Sequence, residues 1–279
     1  MFIETGYLSG IATTNQLHRP LLTGDANFFS QLCLAEYQSM DEIEKIVLYT
    51  LCAGTCIPLG GIIARFEKIA TGWLENEFRH SVIAFGGGVL VAAVALVLVP
   101  EGIKYTNHSI LSVILLIFGG VGFFALERFL GARRRENPQF LAMLLDYVPE
   151  SLAIGGAFAI GTQSALLLAL FIGLQNIPEG FNAYRELMST QRYSSRRILV
   201  LMGLLAPIGP FIAVIGWFFF SQNLQFVGAL MLFSSGGILY LIFQDIAPQS
   251  HMRRHWAPPL GAVLGFSIGM LGNNLLIGA

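Results

Sequence analysis

Asp146-Tyr147-Val148-Pro149-Glu150-Ser151 and Gln175-Asn176-Ile177-Pro178-Glu179-Gly180 stand 29 residues apart and share one pattern. In each, a polar residue is followed by proline three positions on and glutamate four positions on. Both lie midway along apolar stretches long enough to be helices within a membrane. A carboxylate at the centre of a bilayer costs about 3 kcal/mol or more unless it has a partner, so such a residue marks a functional site. Two of them, each beside a helix-breaking proline, point to a buried cation site.

Composition places the rest of the chain in a membrane. Of its 279 residues, 54% are hydrophobic and only 12% charged, and the mean hydropathy is +0.66. A soluble domain carries about 25% charged residues. The net charge of -1 says nothing about nucleic acid, but no basic stripe suits it, so nucleic acid is not an expected partner. The three cysteines, Cys33, Cys52 and Cys56, have neither zinc-finger nor redox spacing, and the last two read as small apolar residues on one helix. Residues 1–45 lack a basic start followed by a long apolar run, so no cleavable signal is expected. They read as an extracytoplasmic tail with a short interfacial helix near 26–40.

Crossing a bilayer takes roughly 20 mostly apolar residues. Eight stretches qualify: 46–64, 81–100, 109–129, 140–161, 165–187, 198–220, 224–247 and 258–278. The expected fold is thus all-α and integral to the membrane, with residues 46–279 forming an eight-helix domain. Basic residues fix its orientation, because cytoplasmic loops are enriched in Lys and Arg. Arg65, Lys68 and Arg79, Arg128 and Arg133 to Arg135, Arg185, Arg192, Arg196 and Arg197, and Arg253 and Arg254 all fall around alternate loops. The other face holds only Arg19, Lys45 and Lys104. Both termini are then extracytoplasmic, which requires an even number of spans.

The flanking spans repeat. Phe85, Gly88 and Pro100 match Phe233, Gly236 and Pro248 at an offset of 148, and Pro58-Leu59-Gly60 echoes Pro207-Ile208-Gly209 at 149. Spans one to three therefore resemble spans six to eight in opposite orientation, giving a 3+2+3 arrangement with inverted repeats around a central pair. Inverted repeats with broken helices at mid-membrane are a transporter signature, with the site at the repeat interface.

The two motifs supply that site. Asp146 and Glu150 share one helix face, as do Gln175 and Glu179. Pro149 cannot donate to the carbonyl of Leu145, nor Pro178 to that of Leu174. Two facing helices thus offer carboxylates, an amide oxygen and freed carbonyls, an oxygen set suited to a divalent cation. The competing reading is two protonated glutamates that merely hold the helices together, which leaves the repeated prolines and companion residues unexplained. Asn182, one turn beyond Glu179, is a further candidate ligand. Glu101, Gln244 and Asp245 are candidates for lining an access or exit path. The five histidines lie in the tail or loops and read as surface residues.

These features resemble the ZIP family of divalent metal transporters, over about residues 46–278. The resemblance implies eight spans with both termini outside, and a metal site on the fourth and fifth helices. It assigns Asp146, Glu150, Gln175 and Glu179 as ligands and adds Asn176, which with Tyr147 stands at the positions that bind a second ion in some members. Asp146 stands where a histidine is common and Tyr147 where asparagine is usual. The remaining ligands are oxygens, which shifts preference from zinc toward harder ions such as manganese or ferrous iron. No second metal is expected. A homodimer is implied by the resemblance alone, and the bacterial inner membrane is the expected location.

The expected function is movement of manganese, iron or zinc ions into the cytoplasm, with the metal as substrate, membrane lipid as surroundings and no cofactor. The pair of fourth and fifth helices is expected to move against the other spans. The alternatives are a ZIP-like scaffold for another cation or solute, or a non-transporting metal receptor. The chain has no His-Glu-x-x-His motif and no Ser/His or paired-Asp signature, so an enzyme is not expected.

Overall fold

The computed structural model describes residues 39–66, 73–134, 138–220, 222–252 and 256–277. The chain divides into a unit ending at Asp41, almost all of it outside the described residues, and a helical unit, Glu42–Ala279. The interfacial helix expected near 26–40 lies outside the described residues except for its last two positions, and Lys68, Arg135, Arg253, Arg254, His18, His255 and Cys33 lie outside them as well.

Helix α1 is Glu42–Phe66. Helix α2 begins as Trp73–Ala93, passes through a π-helical turn at Val94–Leu98 and ends as Val99–Thr106. Helices α3, α4 and α5 are Ser109–Arg134, Pro138–Ile160 and Thr162–Ser189. Helix α6 comprises Ser195–Leu205 and Ile208–Phe220. Helix α7 comprises Leu224–Leu241, a π turn at Ile242–Ile246, and Ala247–Ser250. Helix α8 is Pro258–Ile277. Seven of these are long and apolar enough, among the described residues, to cross a membrane. The other, α4, has 23 residues and carries the first motif. The protein is an all-helical, multi-pass membrane protein.

The helices outrun the expected spans at several ends, because a helix can continue past the apolar layer on polar residues. One connection is minimal: α4 ends at Ile160, and α5 starts at Thr162. Gly161 makes the reversal alone at φ +156° and ψ +147°, a region essentially restricted to glycine.

Helix breaks were expected at the motif prolines, but α4 and α5 run unbroken through Pro149 and Pro178. The irregularities lie in α2, α6 and α7, and those in α2 and α7 recur at the repeat offset. Val99 N–H donates to Val94 O, and Ala247 N–H to Ile242 O, each five residues back. Pro100 and Pro248 follow directly and cannot donate to Leu96 and Gln244, which lie inside the two π turns. The extra residue in each turn takes up the strain that a break would otherwise relieve.

Packing follows the repeat as well. Exchanging α1 with α6, α2 with α7, α3 with α8 and α4 with α5 maps the α1–α5 contact onto α6–α4, α2–α8 onto α7–α3, and α2–α5 onto α7–α4. Each of these pairs is in contact. Glycine makes the approaches possible. A Cβ at Gly88 would collide with the carbonyl of Ala262 on α8, and one at its repeat mate Gly236 with that of Leu116 on α3. Consecutive Gly86, Gly87 and Gly88 face three different helices, meeting Pro178 of α5, Ile246 of α7 and Ala262 of α8. The apolar window of α5 is 72% buried, against 17% for α3 and α8. The second motif is therefore central, while α3 and α8 form an exposed rim.

The central pair does not stand alone. α5 packs more extensively on α1, and α4 on α6, than α4 and α5 do on each other. Ile57, Met143, Tyr147, Ala183, Ile198 and Met202 from these four helices share one buried cluster. At about 1.5–3 kcal/mol for each large buried apolar side chain, that cluster binds α1, α4, α5 and α6 into one body.

Candidate metal site

The i, i+4 spacing of each motif turns its first polar residue and its glutamate to one helix face. α4 and α5 bring those two faces together. Gln175 Nε2 donates to Glu150 Oε1, joining the second motif to the first. Glu150 and Gln175 are almost wholly buried, Asp146 is buried and Glu179 partly so. Glu150 lies within electrostatic reach of both Glu179 and Asp146, and Glu179 within reach of Asp146.

Several oxygens here are buried with no hydrogen-bond donor among the described residues: Glu150 Oε2, Gln175 Oε1, Glu179 Oε2 and Asn182 Oδ1. An orphaned buried acceptor costs about 1–3 kcal/mol, more if charged, so four of them represent a substantial destabilisation. They are all acceptors, so what they lack is a cation or a donor. Among the described residues, no three His, Cys, Asp or Glu side chains already converge as a metal cage. The oxygens instead form a succession along the α4–α5 interface.

That succession opens into a cavity of about 60 Å³ between α2, α4, α5 and α7, lined by Asp146, Glu179, Asn182, Asp245 and Gln249 among others. Some 10–15 Å³ of such space admits one water, so there is room for a partly hydrated ion. The lining comes from the first halves of α2 and α4 and the last halves of α5 and α7. All of these lie at the end of the bundle that carries the basic loops. A separate void of about 10 Å³ is lined by Glu150 with Leu90, Leu98, Phe171, Ile172 and Ile238.

Of the residues expected in the site, Asp146, Glu150, Gln175 and Glu179 lie together. Asn176 points elsewhere: its Nδ2 donates to Ala53 O on α1 at 2.9 Å. Asn182 takes a place in the cavity, and its spacing of three from Glu179 and seven from Gln175 puts it on the same helix face. Asp245 reaches the cavity from within the α7 π turn, whereas Gln244 is not among the lining residues. Glu101 forms an exposed ion pair with Lys104 at 3.1 Å. His80, His108 and His251 lie away from the cavity. Cys56 Sγ contacts the carbonyl of Cys52 at 3.4 Å within its own helix, as a structural cysteine does.

These features define the class as a multi-pass membrane protein whose two facing motif helices carry buried carboxylates at the end of a cavity. No family model matches the chain. It is similar to the zinc transporter ZupT of Akkermansia muciniphila, at 27% identity over 273 residues, covering 84% of this chain and 96% of the relative. It is also similar to the zinc transporter GufA of Myxococcus xanthus, at 33% identity over 141 residues, covering 46% of this chain and 54% of that relative. Both relatives are named zinc transporters of the ZIP family, and the similarity to the first extends along most of this chain.

Proposed function

We propose that this protein carries a divalent metal ion across the inner membrane into the cytoplasm, using Asp146, Glu150, Gln175 and Glu179 as ligands with Asn182 as a supplementary one. The observation that carries this reading is the set of buried acceptor oxygens without donors on the two facing motif helices. Protonated glutamates acting as glue would bond to each other; instead, the cross-helix bond to Glu150 comes from Gln175, and the remaining oxygens stay open. The relatives are named zinc transporters, and an all-oxygen site accepts zinc alongside manganese and ferrous iron.

The basic loops, read as cytoplasmic, lie at the cavity end, so this conformation is open to the cytoplasm and closed beyond Glu150. Asp245 and Gln249 line the way out. The moving unit is the four-helix body α1, α4, α5 and α6, replacing the two-helix pair expected from the sequence. Separating α4 and α5 from α6 and α1 would expose their shared buried cluster.

The test is uptake of zinc, manganese, ferrous iron and cadmium by liposomes containing the purified protein, with Glu179→Ala as control. Saturable uptake of at least one ion is expected, lost in a variant that keeps the wild-type elution profile. Normal uptake by Glu179→Ala would refute the site. No uptake or binding of any of the four by folded wild-type protein would refute the function.

A further inference from the structure

Tyr147 and Asn176 each directly follow the first proposed ligand of their motif, which turns them about 100° away from the ligand face. Both are buried, at 3% and 1% exposure. Each reaches a backbone carbonyl on a neighbouring helix: Tyr147 Oη donates to Ala206 O on α6 at 3.1 Å, and Asn176 Nδ2 to Ala53 O on α1 at 2.9 Å. Their helices α4 and α5 exchange under the repeat, as do α6 and α1.

We infer that Tyr147 and Asn176 are a matched pair of positioning residues, not ligands, and that they lock α6 to α4 and α1 to α5 so that the site oxygens keep their register. The inference rests on the reading of Asp146, Glu150, Gln175 and Glu179 as the metal site.

Two further features support it. Ala206 lies four residues before Pro210, which has no N–H to give, so its carbonyl is open at the interruption of α6 and the phenol supplies a donor. The surrounding backbone is also shaped to hold the phenol. A Cβ at Gly54 on α1, or at Gly209 on α6, would collide with Tyr147 Oη. Ser151 Oγ, bonded to Tyr147 O at 2.7 Å, closes the same junction one turn on. The phenol therefore fills the meeting point of α1, α4 and α6, and its oxygen faces a carbonyl instead of the cavity.

A ligand and a latch respond oppositely to one substitution. Asn176→Asp strengthens a metal ligand, but it removes the donor of a latch and sets a carboxylate against the Ala53 carbonyl. The experiment measures zinc and cadmium binding, uptake, and backbone hydrogen exchange in wild type, Tyr147→Phe and Asn176→Asp. Tyr147→Phe keeps the ring and guards against misfolding. The expected result is at least threefold lower maximal uptake in both variants. In Tyr147→Phe, metal affinity should stay within twofold of wild type, with faster exchange at the α6 interruption; in Asn176→Asp, exchange should be faster in α1 near Ala53. Tighter metal binding by Asn176→Asp, or unchanged exchange in both variants, would overturn the inference. Because exchange is read without metal, a wild-type protein that binds no metal would refute the proposed function separately.

Discussion

Gly60 and Gly203 offer a paired test of how the site is held. A Cβ at Gly60 would collide with Ile177 O on α5 and lie 2.8 Å from Phe181 N and 3.0 Å from Ile177 C. Ordinary contacts are about 3.5–4.0 Å, so α1 and α5 would have to part by roughly 1 Å. Overpacking of this kind costs about 1–3 kcal/mol. The same movement stretches the 2.9 Å bond from Asn176 to Ala53 past useful length, costing about 1 kcal/mol more. A total of roughly 2–4 kcal/mol corresponds to a fall of about 3–7 °C in Tm for a chain of this size. At Gly203, a Cβ meets nothing within 4 Å, so Gly203→Ala should leave Tm within about 1 °C of wild type or raise it slightly. Both variants would be followed by thermal unfolding in detergent and by metal uptake in liposomes. Gly60→Ala should also lose most of its uptake, because a 1 Å error in ligand placement can cost on the order of 100-fold. Equal behaviour of the two variants, or an unshifted Gly60→Ala, would refute the close α1–α5 crossing as the support for the site.

Other consequences are narrower. Gln175→Met preserves side-chain length but removes both the donor to Glu150 and an open oxygen, and a bond to a charged group contributes about 1.5–3 kcal/mol. Metal affinity should therefore fall roughly 10- to 150-fold by equilibrium binding. Asp245→Asn alters the cavity without touching Glu150; maximal uptake should fall severalfold with little change in KM, and a purely KM effect would argue against an exit role. Glu186 Oε2 accepts from Phe140 N at 3.1 Å near the start of α4. Glu186→Ala should therefore lower stability by about 0.5–2 kcal/mol, read as a small drop in Tm.

The spans and the motif faces were legible because both depend on local rules: apolar length, and the i, i+4 face. The repeat was legible from Pro100 and Pro248, but its structural result was not. A proline predicts a missing hydrogen bond, while neighbouring helices decide whether the chain breaks, bulges or continues. At Pro149 and Pro178 the helices continue; before Pro100 and Pro248 they bulge. The orientation of Asn176 also lay beyond the sequence, since what it reaches depends on α1, more than 120 residues earlier. Asn182 carried the better signal through its spacing of seven from Gln175.

The small void at Glu150 has a consequence for abundant magnesium. About 60 Å³ can hold an ion with part of its water shell, but about 10 Å³ holds at most one water. On the proposed reading, an ion seated against Glu150 in this conformation can keep water only on its cavity side. Magnesium gives up its waters reluctantly and demands near-ideal octahedral geometry, whereas zinc accepts four ligands readily. On that reading, discrimination against the commoner cation would arise from the work of removing part of its hydration where it meets Glu150, even where the oxygens themselves offer it no less attraction.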